Sequence, residues 1–371
     1  MYIPDHGGSL CGEKMGENMI AKYEEIISYE NLYKAWKLAK CGKGSKGEAI
    51  RFGLNLGENL WRLHDELEQK TYMPGSYYHF TIYEPKLREV YALTFPGRVV
   101  QHSICDNALR PWMEPRLIYD CAACRVGKGT HFAMDRLSGF LRDFYKKHGT
   151  EGFILKCDIR KYFDNIDHDI LKQKLRKFPE KDILNLMFRF LDAYHGDTGK
   201  GIPLGNQSSQ WFALYYLDGI DRLVKERLHI KYYTRYMDDF LLIHEDKTYL
   251  QHCLKEIRSA CGELKLELNE KTHIFPLSQG VDYLGFHFYL TETGKVVRRL
   301  RSSNKRRFKR KLHGLRRLYE KGEIDLDAIN RCLVSYHGHL SHGHTYRMEK
   351  RAMEHFVLQR KMTTQSTGPP E

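Results

Sequence analysis

The sequence predicts an α+β fold, and three observations support this prediction. Apolar residues make up 42% of the 371 residues, which supplies a sizeable core and excludes a largely disordered chain. Several runs carry apolar residues three and four positions apart, as helices do, and shorter runs alternate apolar and polar residues, as strands do. Glycine and proline contents are ordinary, which excludes collagen-like and proline-rich architectures. At this length we expect two or three lobes or one large composite domain.

The N-terminal third combines helices with one hairpin. Residues 1–22 form a predicted flexible tail. Apolar spacing predicts a helix around 32–38, which CGKGSKGE interrupts, and a second helix over 52–67. From about Tyr77 the run TIYEPKLREVYALTF alternates aromatic and β-branched residues, and this pattern predicts a β-hairpin.

The middle of the chain begins with a buried strand. Residues 153–155 are apolar and run into Asp158, and the helix that follows carries its apolar face over 171–178. The segment 195–209 is rich in Gly, Ser and Asn, which predicts a loop, and an aromatic-rich helix is expected to begin near Gln210.

The next segment predicts further strands. KYYTRYMDDFLLIH indicates two short strands around a tight turn, and a helix over 250–261 follows it. LKLELNE alternates as a strand, and VDYLGFHFYL indicates another strand. After Thr291 we expect a mainly helical and basic segment, ending in about ten disordered residues.

The chain carries an excess of positive charge, with 60 Lys and Arg against 47 Asp and Glu. A net charge of +13 indicates a polyanionic partner, either a nucleic acid or an anionic membrane surface. No window approaches 18 uninterrupted apolar residues and no export signal is recognisable, so we expect a cytoplasmic protein without a membrane span. The nine cysteines are scattered, and the pair Cys121 and Cys124 is more typical of small buried residues than of a zinc site.

The strongest positive run lies near the C-terminus. Residues 295–317 contain 12 Lys or Arg and no Asp or Glu. Phe308, Leu312 and Leu315 share one face of the predicted helix, so the other face forms a cationic ridge suited to gripping phosphates without reading sequence. A basic amphipathic helix also binds membranes, an alternative that the motifs below disfavour. We assign nucleic-acid contacts on this ridge to Arg306, Arg307, Lys309 and Arg310.

Three carboxylates form the sharpest chemical pattern. Asp238 and Asp239 occupy a turn between two apolar strands, where their mutual repulsion is costly unless a cation lies there. Asp158 ends a buried strand, where an unpaired charge is also costly. Strand ends of one sheet can bring these carboxylates together around two Mg²⁺ ions about 3.5–4 Å apart, with Mn²⁺ as an acceptable substitute. A lone pair of turn aspartates is more often ordinary solvated turn chemistry.

The order of the motifs is more specific than any one of them. The chain carries Asp158 with YFDNID, then GIPLGNQSSQ, YMDDF, LELNEKT and YLGF. This ordered set resembles the reverse transcriptases over roughly residues 25–345. The resemblance implies a right-hand polymerase fold, with fingers, a palm built on an antiparallel sheet, and a helical thumb. It also implies an RNA-directed DNA polymerase, a nucleotidyltransferase in which Asp158, Asp238 and Asp239 are the catalytic, metal-binding residues.

The same resemblance predicts the domain order. We expect the boundaries to be 1–22 for a flexible N-terminal tail, 23–150 for N-terminal helices and fingers, 151–290 for the palm with a fingers segment near 170–210, 291–350 for a basic helical thumb, and 351–371 for a C-terminal tail.

Further site residues follow from the matching motifs. Phe163 lies where the family has an aromatic steric gate, which favours deoxynucleotides by clashing with a 2′-hydroxyl. EPKLREV resembles the first fingers motif, so Lys86 and Arg88 are expected to clamp the triphosphate. Arg125 in CRVGKGTH is expected to contact nucleotide or template, and Lys271 in LNEKT matches a lysine that protonates the leaving pyrophosphate. For these residues an ordinary core or surface role is the alternative.

Two further motifs concern the nucleic acid. Lys128 of the same fingers motif is expected to contact the template strand. The motif YLGF resembles the primer grip, which assigns that role to Tyr283, Leu284 and Gly285.

The loop GIPLGNQSSQ indicates which reverse transcriptases are most similar. Leu204 precedes Gly205 where most of the family has Gln, and Ser209-Gln210 replaces Ser-Pro. We assign Leu204, Gly205 and Gln210 to the nucleotide site. The loop resembles that of the diversity-generating retroelement enzymes, as do ENLYKAWKLAK and SYHGHLSHGHT. That group copies a template RNA with errors opposite adenines, and the cDNA then replaces a variable region, a process called mutagenic retrohoming.

The resemblance also implies partners. These are the template RNA, the primer and cDNA, the four dNTPs, and an accessory variability protein that is a small basic helical oligomer. The alternatives are a group II intron-like, retron or phage-defence reverse transcriptase, and a non-catalytic RNA-binding factor. Leu204 and Gln210 disfavour the intron-like enzyme, and the intact set of three aspartates disfavours a non-catalytic factor.

Overall fold

The computed structural model describes residues 20–83, 86–194 and 198–360. The chain forms two compact units, each built from separate stretches of sequence. The first unit contains the described residues up to Ile118 together with Lys161–Gly219 and Gly262–Leu266. The second unit contains Tyr119–Arg160, Ile220–Cys261 and the described residues from Glu267 onward. The predicted domain boundaries stay predictions.

Helices and one hairpin form the N-terminal part of the first unit. Their bounds are α1 (Tyr23–Ile27), α2 (Tyr29–Lys40), α3 (Gly47–Leu54), α4 (Leu56–Glu68), β1 (Tyr77–Ile82), β2 (Arg88–Leu93), α5 (Phe95–Ile104), a π-helical turn (Cys105–Leu109) and α6 (Arg110–Met113). The helix expected over 52–67 is interrupted at Asn55, where α3 ends and α4 begins.

The central elements alternate between the two units. They are α7 (Thr130–His148), β3 (Phe153–Asp158), α8 (Tyr162–Asn165), α9 (His168–Leu175), α10 (Lys181–Asp192), α11 (Gln207–Tyr216), α12 (Asp218–Arg222), β4 (Tyr232–Tyr236), β5 (Asp239–His244) and α13 (Lys247–Glu263). The aromatic-rich helix therefore begins at Gln207, three residues before the expected position.

The C-terminal elements belong to the second unit. They are β6 (His273–Pro276), β7 (Val281–Tyr283), β8 (Phe286–Leu290), β9 (Val296–Leu300), α14 (Ser302–Glu320), α15 (Leu326–Leu340) and α16 (Tyr346–Glu354). In the described part of the chain, no helix is both long and apolar enough to cross a membrane.

The core of the second unit is an antiparallel sheet covered by a helix. Its strand order is β4-β5-β3-β6. Ile154, Leu241 and Ile243 are buried in one cluster with Leu141 and Phe144 of α7. Burying each of these side chains contributes about 1.5–3 kcal/mol, so this cluster holds the sheet that carries the predicted carboxylates.

Two local predictions of strands are wrong. VDYLGFHFYL is not one strand but the hairpin β7–β8, since Leu284 and Gly285 have φ of 46° and 92° and form a turn. LKLELNE is not a strand, because within it only Leu268 makes a bridge, to Ile159. The segment after Thr291 is mainly helical, as predicted, and it also contains the short strand β9, which pairs with β8 before α14 begins.

Two predicted tails fall largely outside the described residues. Positions 1–19 and 361–371 are not described, and neither is 195–197 within the predicted loop. Within the described part, the loop before α11 is as expected over 201–206.

Candidate active site

The three predicted catalytic carboxylates lie at one end of the antiparallel sheet. Asp158 ends β3, and its direct partner across the strands is Asp239, the first residue of β5. Asp238 precedes it in the two-residue turn that joins Tyr236 of β4 to Asp239. Directly opposed residues in an antiparallel pair have neighbouring side chains, so the predicted juxtaposition of the two strand ends is confirmed.

The turn between β4 and β5 has an unusual backbone. Met237 has φ of 56°, a left-handed conformation that non-glycine residues seldom adopt and that costs on the order of 1 kcal/mol. The guanidinium of Arg235 donates from Nη1 to the carbonyl oxygen of Met237 at 3.0 Å. This hydrogen bond fixes the peptide that leads directly into Asp238.

Arg235 is itself held by a buried ion pair. Its Nε and Nη2 atoms donate to Asp221 Oδ1 at 2.7 Å and Oδ2 at 2.5 Å, and both side chains are fully buried. The Tyr233 hydroxyl donates to the same carboxylate at 2.6 Å. Sequence reasoning missed this support for the turn. The available signal was a charged residue inside an otherwise uncharged, buried strand, because a buried charge requires a partner.

Lys156 is a second residue that sequence reasoning missed. It precedes Asp158 by two positions on β3 and therefore projects from the same face of the sheet. Its Nζ lies 3.3 Å from Asp239 Oδ2 and donates to the carbonyl oxygen of Asp282 at 2.6 Å. A cation at this position partly compensates the charge of Asp239.

The compensation of Asp239 is incomplete. Its Oδ1 atom is buried and accepts no hydrogen bond in the described structure. Burial raises the pKa of the Asp239 carboxyl to about 6, Lys156 opposes this rise, and the charges of Asp158 and Asp238 add to it. A buried, unpaired carboxylate oxygen beside two further carboxylates is the hard oxygen donor set that a divalent cation requires. The residues present therefore fit a divalent metal.

In the described structure, the donor atoms of Asp158, Asp238 and Asp239 do not all lie within 4.8 Å of one another. Among the described residues, the group of potential ligands whose donor atoms lie within 4.8 Å of one another is His64, Asp65 and Glu68 on α4 of the first unit. Exposed acidic groups of that kind are common, and nothing else at α4 indicates a ligand.

The LNEKT motif forms a turn beside Asp158. The backbone N–H of Asn269 donates to the carbonyl oxygen of Asp158 at 2.7 Å, and the Asp158 N–H donates to Thr272 Oγ1 at 3.4 Å. Lys271 lies within this turn and is exposed. The structure thus brings Lys271 to the strand end that carries Asp158, while its role in proton donation stays a prediction.

The predicted primer grip is the β7–β8 turn. Tyr283 is buried, and Leu284 and Gly285 form the turn itself. The carbonyl oxygen of Gly285 accepts hydrogen bonds from Asn304 Nδ2 at 3.0 Å and from the Arg301 N–H at 3.2 Å. Gly285 has φ of 92°, which strains any other residue, and a Cβ there would lie 2.8 Å from Asn304 Nδ2 and displace that side chain.

In the CRVGKGTH loop of the second unit, the side chains of Arg125 and Lys128 form hydrogen bonds with nearby backbone carbonyl groups. Arg125 donates from Nη1 to the carbonyl oxygen of Cys121 at 3.0 Å. Lys128 donates from Nζ to the carbonyl oxygen of Tyr119 at 2.6 Å and lies over the rings of Tyr119 and Phe132. Both side chains stabilise the loop, and their predicted contacts with nucleotide or template stay predictions.

Two predicted triphosphate ligands belong to the β1–β2 hairpin of the first unit. Arg88 is the first residue of β2 and pairs with Ile82, and Lys86 lies in the connection just before it. Both side chains are exposed, as expected for phosphate ligands.

The predicted steric gate also lies in the first unit. Phe163 is half-buried in α8, and its ring meets that of Tyr162 edge to face at 5.7 Å. Its carbonyl oxygen accepts the N–H of Ile202 at 2.9 Å, which ties α8 to the GIPLG loop.

The GIPLG loop packs on the same hairpin as the predicted triphosphate ligands. Gly205 has φ of 143°, and a Cβ there would lie 3.0 Å from the carbonyl oxygen of Tyr91 in β2. Asn206 donates from Nδ2 to the Tyr77 hydroxyl at 3.1 Å. Leu204 is half-buried in the turn, and Gln210 follows in the first turns of α11. The structure therefore brings Leu204, Gly205 and the β1–β2 hairpin together.

The basic helix α14 is amphipathic, as predicted. Phe308, Leu312 and Leu315 are buried. Arg307 donates to Asn304 Oδ1 at 2.7 Å and is half-buried. The other predicted nucleic-acid contacts on this helix are exposed: Arg306, Lys309 and Arg310.

Comparison with known proteins agrees with this geometry. Residues 84–288, more than half of the chain, match the reverse transcriptase (RNA-dependent DNA polymerase) family. The chain therefore belongs to the reverse transcriptase family. The predicted fold class, a right-hand polymerase with helices and an antiparallel sheet, is confirmed, and the family is described as that of the RNA-dependent DNA polymerases. None of the curated proteins compared with the chain matches it.

Several solved structures are similar in backbone. Telomerase from Candida albicans, in complex with a fragment of telomeric RNA, aligns with a TM-score of 0.47 and 13% identity over 64% of this chain and 46% of that chain. Two structures of apo telomerase from Candida tropicalis give TM-scores of 0.47 and 0.45 with 15% and 14% identity, over 62% and 64% of this chain. The chain covers 55% and 53% of those two chains, so it spans about half the length of the telomerases.

Proposed function

We propose that the protein is an RNA-directed DNA polymerase that extends a primer on an RNA template. The observation that carries the proposal is the pairing of Asp158 with Asp239 at the strand ends, with Asp238 in the adjoining turn, in a chain of the reverse transcriptase family. The substrates are the template RNA, the primer and the four dNTPs.

The three aspartates would hold two Mg²⁺ ions, for which Mn²⁺ can substitute. Bound there, the ions would supply Lewis-acid chemistry that activates the primer 3′-hydroxyl and stabilises the departing pyrophosphate. The chain contributes the rest of the site. Arg235 fixes the turn that presents Asp238. Lys156 limits the repulsion among the carboxylates before the ions bind.

Other residues have proposed roles in substrate binding. The exposed cations Lys86 and Arg88 bind the triphosphate, and the ring of Phe163 rejects nucleotides that carry a 2′-hydroxyl. Lys271 donates a proton to pyrophosphate as it leaves. Tyr283 to Gly285 support the primer end.

We further propose that synthesis is error-prone at template adenines and serves mutagenic retrohoming. Leu204 offers no hydrogen-bonding group beside the nucleotide, where most relatives have Gln. Fewer polar contacts to the templating pair reduce the free-energy difference between correct and incorrect pairs. Gly205 packs closely against the carbonyl oxygen of Tyr91, which fixes the position of the loop that carries Leu204. The reduced discrimination would therefore be a constant property of the site. In this function an accessory variability protein, a small basic helical oligomer, would bind the enzyme.

The first experiment is to sequence the cDNA made on a defined RNA template with Mg²⁺ and all four dNTPs. We expect errors concentrated opposite template adenines. Uniformly accurate cDNA would retain the polymerase and reject the diversity-generating role in favour of a retron, phage-defence or intron-like enzyme. The accessory protein and cognate RNA are added in a parallel reaction.

The variant Asp238→Asn tests the metal site. We expect synthesis to fall by at least about a thousandfold, because a charged ligand is lost at the point where the transition state is stabilised. RNA binding, measured by fluorescence anisotropy, should change less than about twofold because phosphate contacts dominate affinity. Glu267→Gln, in which an exposed carboxylate of the same unit is neutralised, is the control and should retain full synthesis. Wild-type extension by Asp238→Asn would contradict the assignment.

A further inference from the structure

A groove lies between α14 and α16, and its lining residues do not include Asp158, Asp238 or Asp239. It has a volume of about 720 Å³, and Arg299 and Leu300 of β9 are among its lining residues. Lys305, Lys309 and Arg316 line it from α14. Arg347 and Arg351 line it from α16. We call this the α14–α16 groove.

The charge of the groove is strongly positive and largely uncompensated. No acidic side chain is among its lining residues. In the part of the chain that the structure describes, Lys305, Lys309, Arg347 and Arg351 form no ion pair within 4.0 Å. Arg316 pairs with Glu320 at 3.5 Å. A cleft lined by cations alone concentrates anions, so its ligand is negatively charged.

The spacing of the cations selects a polyanion over a single anion. Lys305 and Lys309 are separated by about 6 Å along the axis of α14, and Arg316 lies about 10 Å further on. On the facing helix, Arg347 and Arg351 are separated by about 6 Å. Two facing rows of separated cations fit a chain of phosphates, whereas one inorganic phosphate would occupy only a part of them.

The floor of the groove is apolar. Leu312, Met348 and Phe356 line it, and they belong to a cluster of buried and half-buried side chains around Phe308. Cationic walls over an apolar, partly aromatic floor match single-stranded nucleic acid, whose bases can contact the floor while the phosphates contact the walls. In a duplex the base faces are stacked inside and cannot reach such a floor.

We propose that the α14–α16 groove binds a single-stranded stretch of RNA. The proposal rests on the proposed function in that it takes RNA as the enzyme's partner. It adds a second RNA contact, distinct from the primer–template duplex, through which a template RNA can be retained while another part of it is copied.

The test uses the full chain without dNTPs and a fluorescein-labelled RNA of about 12 nucleotides without secondary structure. The double variant Arg347→Glu with Arg351→Glu should weaken binding at least tenfold. The slope of log K against log salt should become shallower by about 0.7 for each phosphate contact that is lost. Binding of an RNA–DNA hybrid of the same length is measured in parallel, and the double variant should weaken it less than threefold.

A matched control separates the groove from general electrostatics. Lys350 lies on α16 and Arg331 on α15, and both are exposed and outside the groove. The variant Lys350→Glu with Arg331→Glu carries the same charge change and should weaken RNA binding less than threefold. Phe356→Leu keeps an apolar floor but removes the ring, so it should weaken binding about fivefold with an unchanged salt slope. Thermal melting followed by circular dichroism verifies that each variant is folded.

Several results would overturn the proposal. The first is an equal loss of RNA affinity in the groove variant and in its control. The second is an equal loss of affinity for the single strand and for the hybrid. The third is unchanged RNA affinity in a groove variant that no longer binds anionic vesicles or an acidic peptide. The binding assay involves no synthesis, so it tests the groove separately from the proposed function. If the wild-type chain made no cDNA but the groove variant still lost RNA binding, the proposed function would be contradicted and the proposal for the groove would stand.

Discussion

Arg235 illustrates how one side chain can support a catalytic turn without touching substrate. A buried ion pair is weak evidence for stability, since desolvation offsets much of the attraction between the charges. The Arg235–Asp221 pair has a second effect, because the same guanidinium also donates to the Met237 carbonyl. We therefore interpret the pair as an interaction that holds Met237 in its left-handed conformation and so positions Asp238.

Replacing Arg235 by Lys tests this interpretation. A lysine retains the charge beside Asp221 but cannot donate in a planar fork to both Asp221 and Met237. We expect a loss of about 3 kcal/mol in the free energy of unfolding. We also expect the Mg²⁺ concentration that gives half-maximal synthesis to rise several-fold, because a looser turn binds the ions less well. The measurements are urea unfolding and primer extension across a Mg²⁺ series.

The matched control is Tyr233→Phe, which removes only the hydroxyl that donates to Asp221. This variant should lose about 1 kcal/mol of stability and keep the wild-type Mg²⁺ dependence. If Arg235→Lys lowered stability with the Mg²⁺ dependence unchanged, Arg235 would have a purely structural role.

At this scale, the sequence predicted the residues whose chemistry is local. Asp158, Asp238 and Asp239 are recognisable because carboxylates at the ends of apolar strands are costly without a cation. The support from Asp221 was not predictable, because a residue 14 positions from Arg235 becomes its partner only through the fold. Lys156 was missed for the same reason, since its partner Asp239 lies on another strand.

At the scale of elements, the buried carboxylate of Asp167 lies at the N-terminus of α9. Asp167 caps the helix by accepting the N–H of Ile170 at 3.1 Å, and Lys265 donates to its other oxygen at 2.6 Å. Burial alone would raise the pKa of the Asp167 carboxyl. The hydrogen bonds from Lys265 and from the backbone outweigh it, so the pKa lies below its ordinary value.

The lowered pKa of Asp167 predicts how the stability of the first unit depends on pH. A carboxyl whose folded pKa is depressed stabilises the fold above its unfolded pKa of about 3.9, and this contribution is lost as the pH falls through the folded pKa. Asp167→Asn keeps a capping side chain but removes the charge. We expect it to cost about 1.5 kcal/mol near pH 7 and progressively less below about pH 4, measured by urea unfolding.

A double-mutant cycle with Lys265→Met provides the control for Asp167→Asn. The two single variants should each lose stability near pH 7, and the double variant should lose less than their sum because both remove the same ion pair. Additive losses would show that Lys265 does not stabilise Asp167.

Element types were more predictable than element ends. Helices α2 and α14 follow their apolar spacing, because a continuous buried stripe leaves few alternatives. The β7–β8 hairpin was predicted as one strand. Its turn begins with Leu284 at φ 46°, and leucine is not a residue that indicates a turn. LKLELNE alternates as a strand does, yet it forms only one bridge because the β3 edge beside it is occupied by β6 over 153–156.

At the scale of the whole molecule, the predicted roles divide between the two units. Asp158, Asp238 and Asp239 belong to the second unit. The residues proposed to select the nucleotide belong mainly to the first unit, namely Lys86, Arg88, Phe163, Leu204, Gly205 and Gln210. This division predicts that changes in the first unit alter which substrate is used, whereas changes at the three aspartates abolish synthesis.

Phe163→Val tests the division directly. The smaller side chain leaves room for a 2′-hydroxyl, so the preference for dNTPs over rNTPs, as a ratio of kcat/KM values, should fall by about tenfold or more. Extension with dNTPs should stay within about threefold of wild type, because the steric gate acts through exclusion rather than through binding energy. The measurement is single-nucleotide primer extension with dNTP and rNTP in separate reactions.

The control for this variant is Phe188→Val, since Phe188 is also half-buried in the first unit, on α10. Both substitutions remove an aromatic ring, so both should lower the midpoint of thermal unfolding to a similar extent. Only Phe163→Val should relax the choice of sugar. If the two variants lost stability equally and both kept the wild-type preference, Phe163 would be an ordinary packing residue, and the selection of deoxynucleotides would have to depend on another part of the chain.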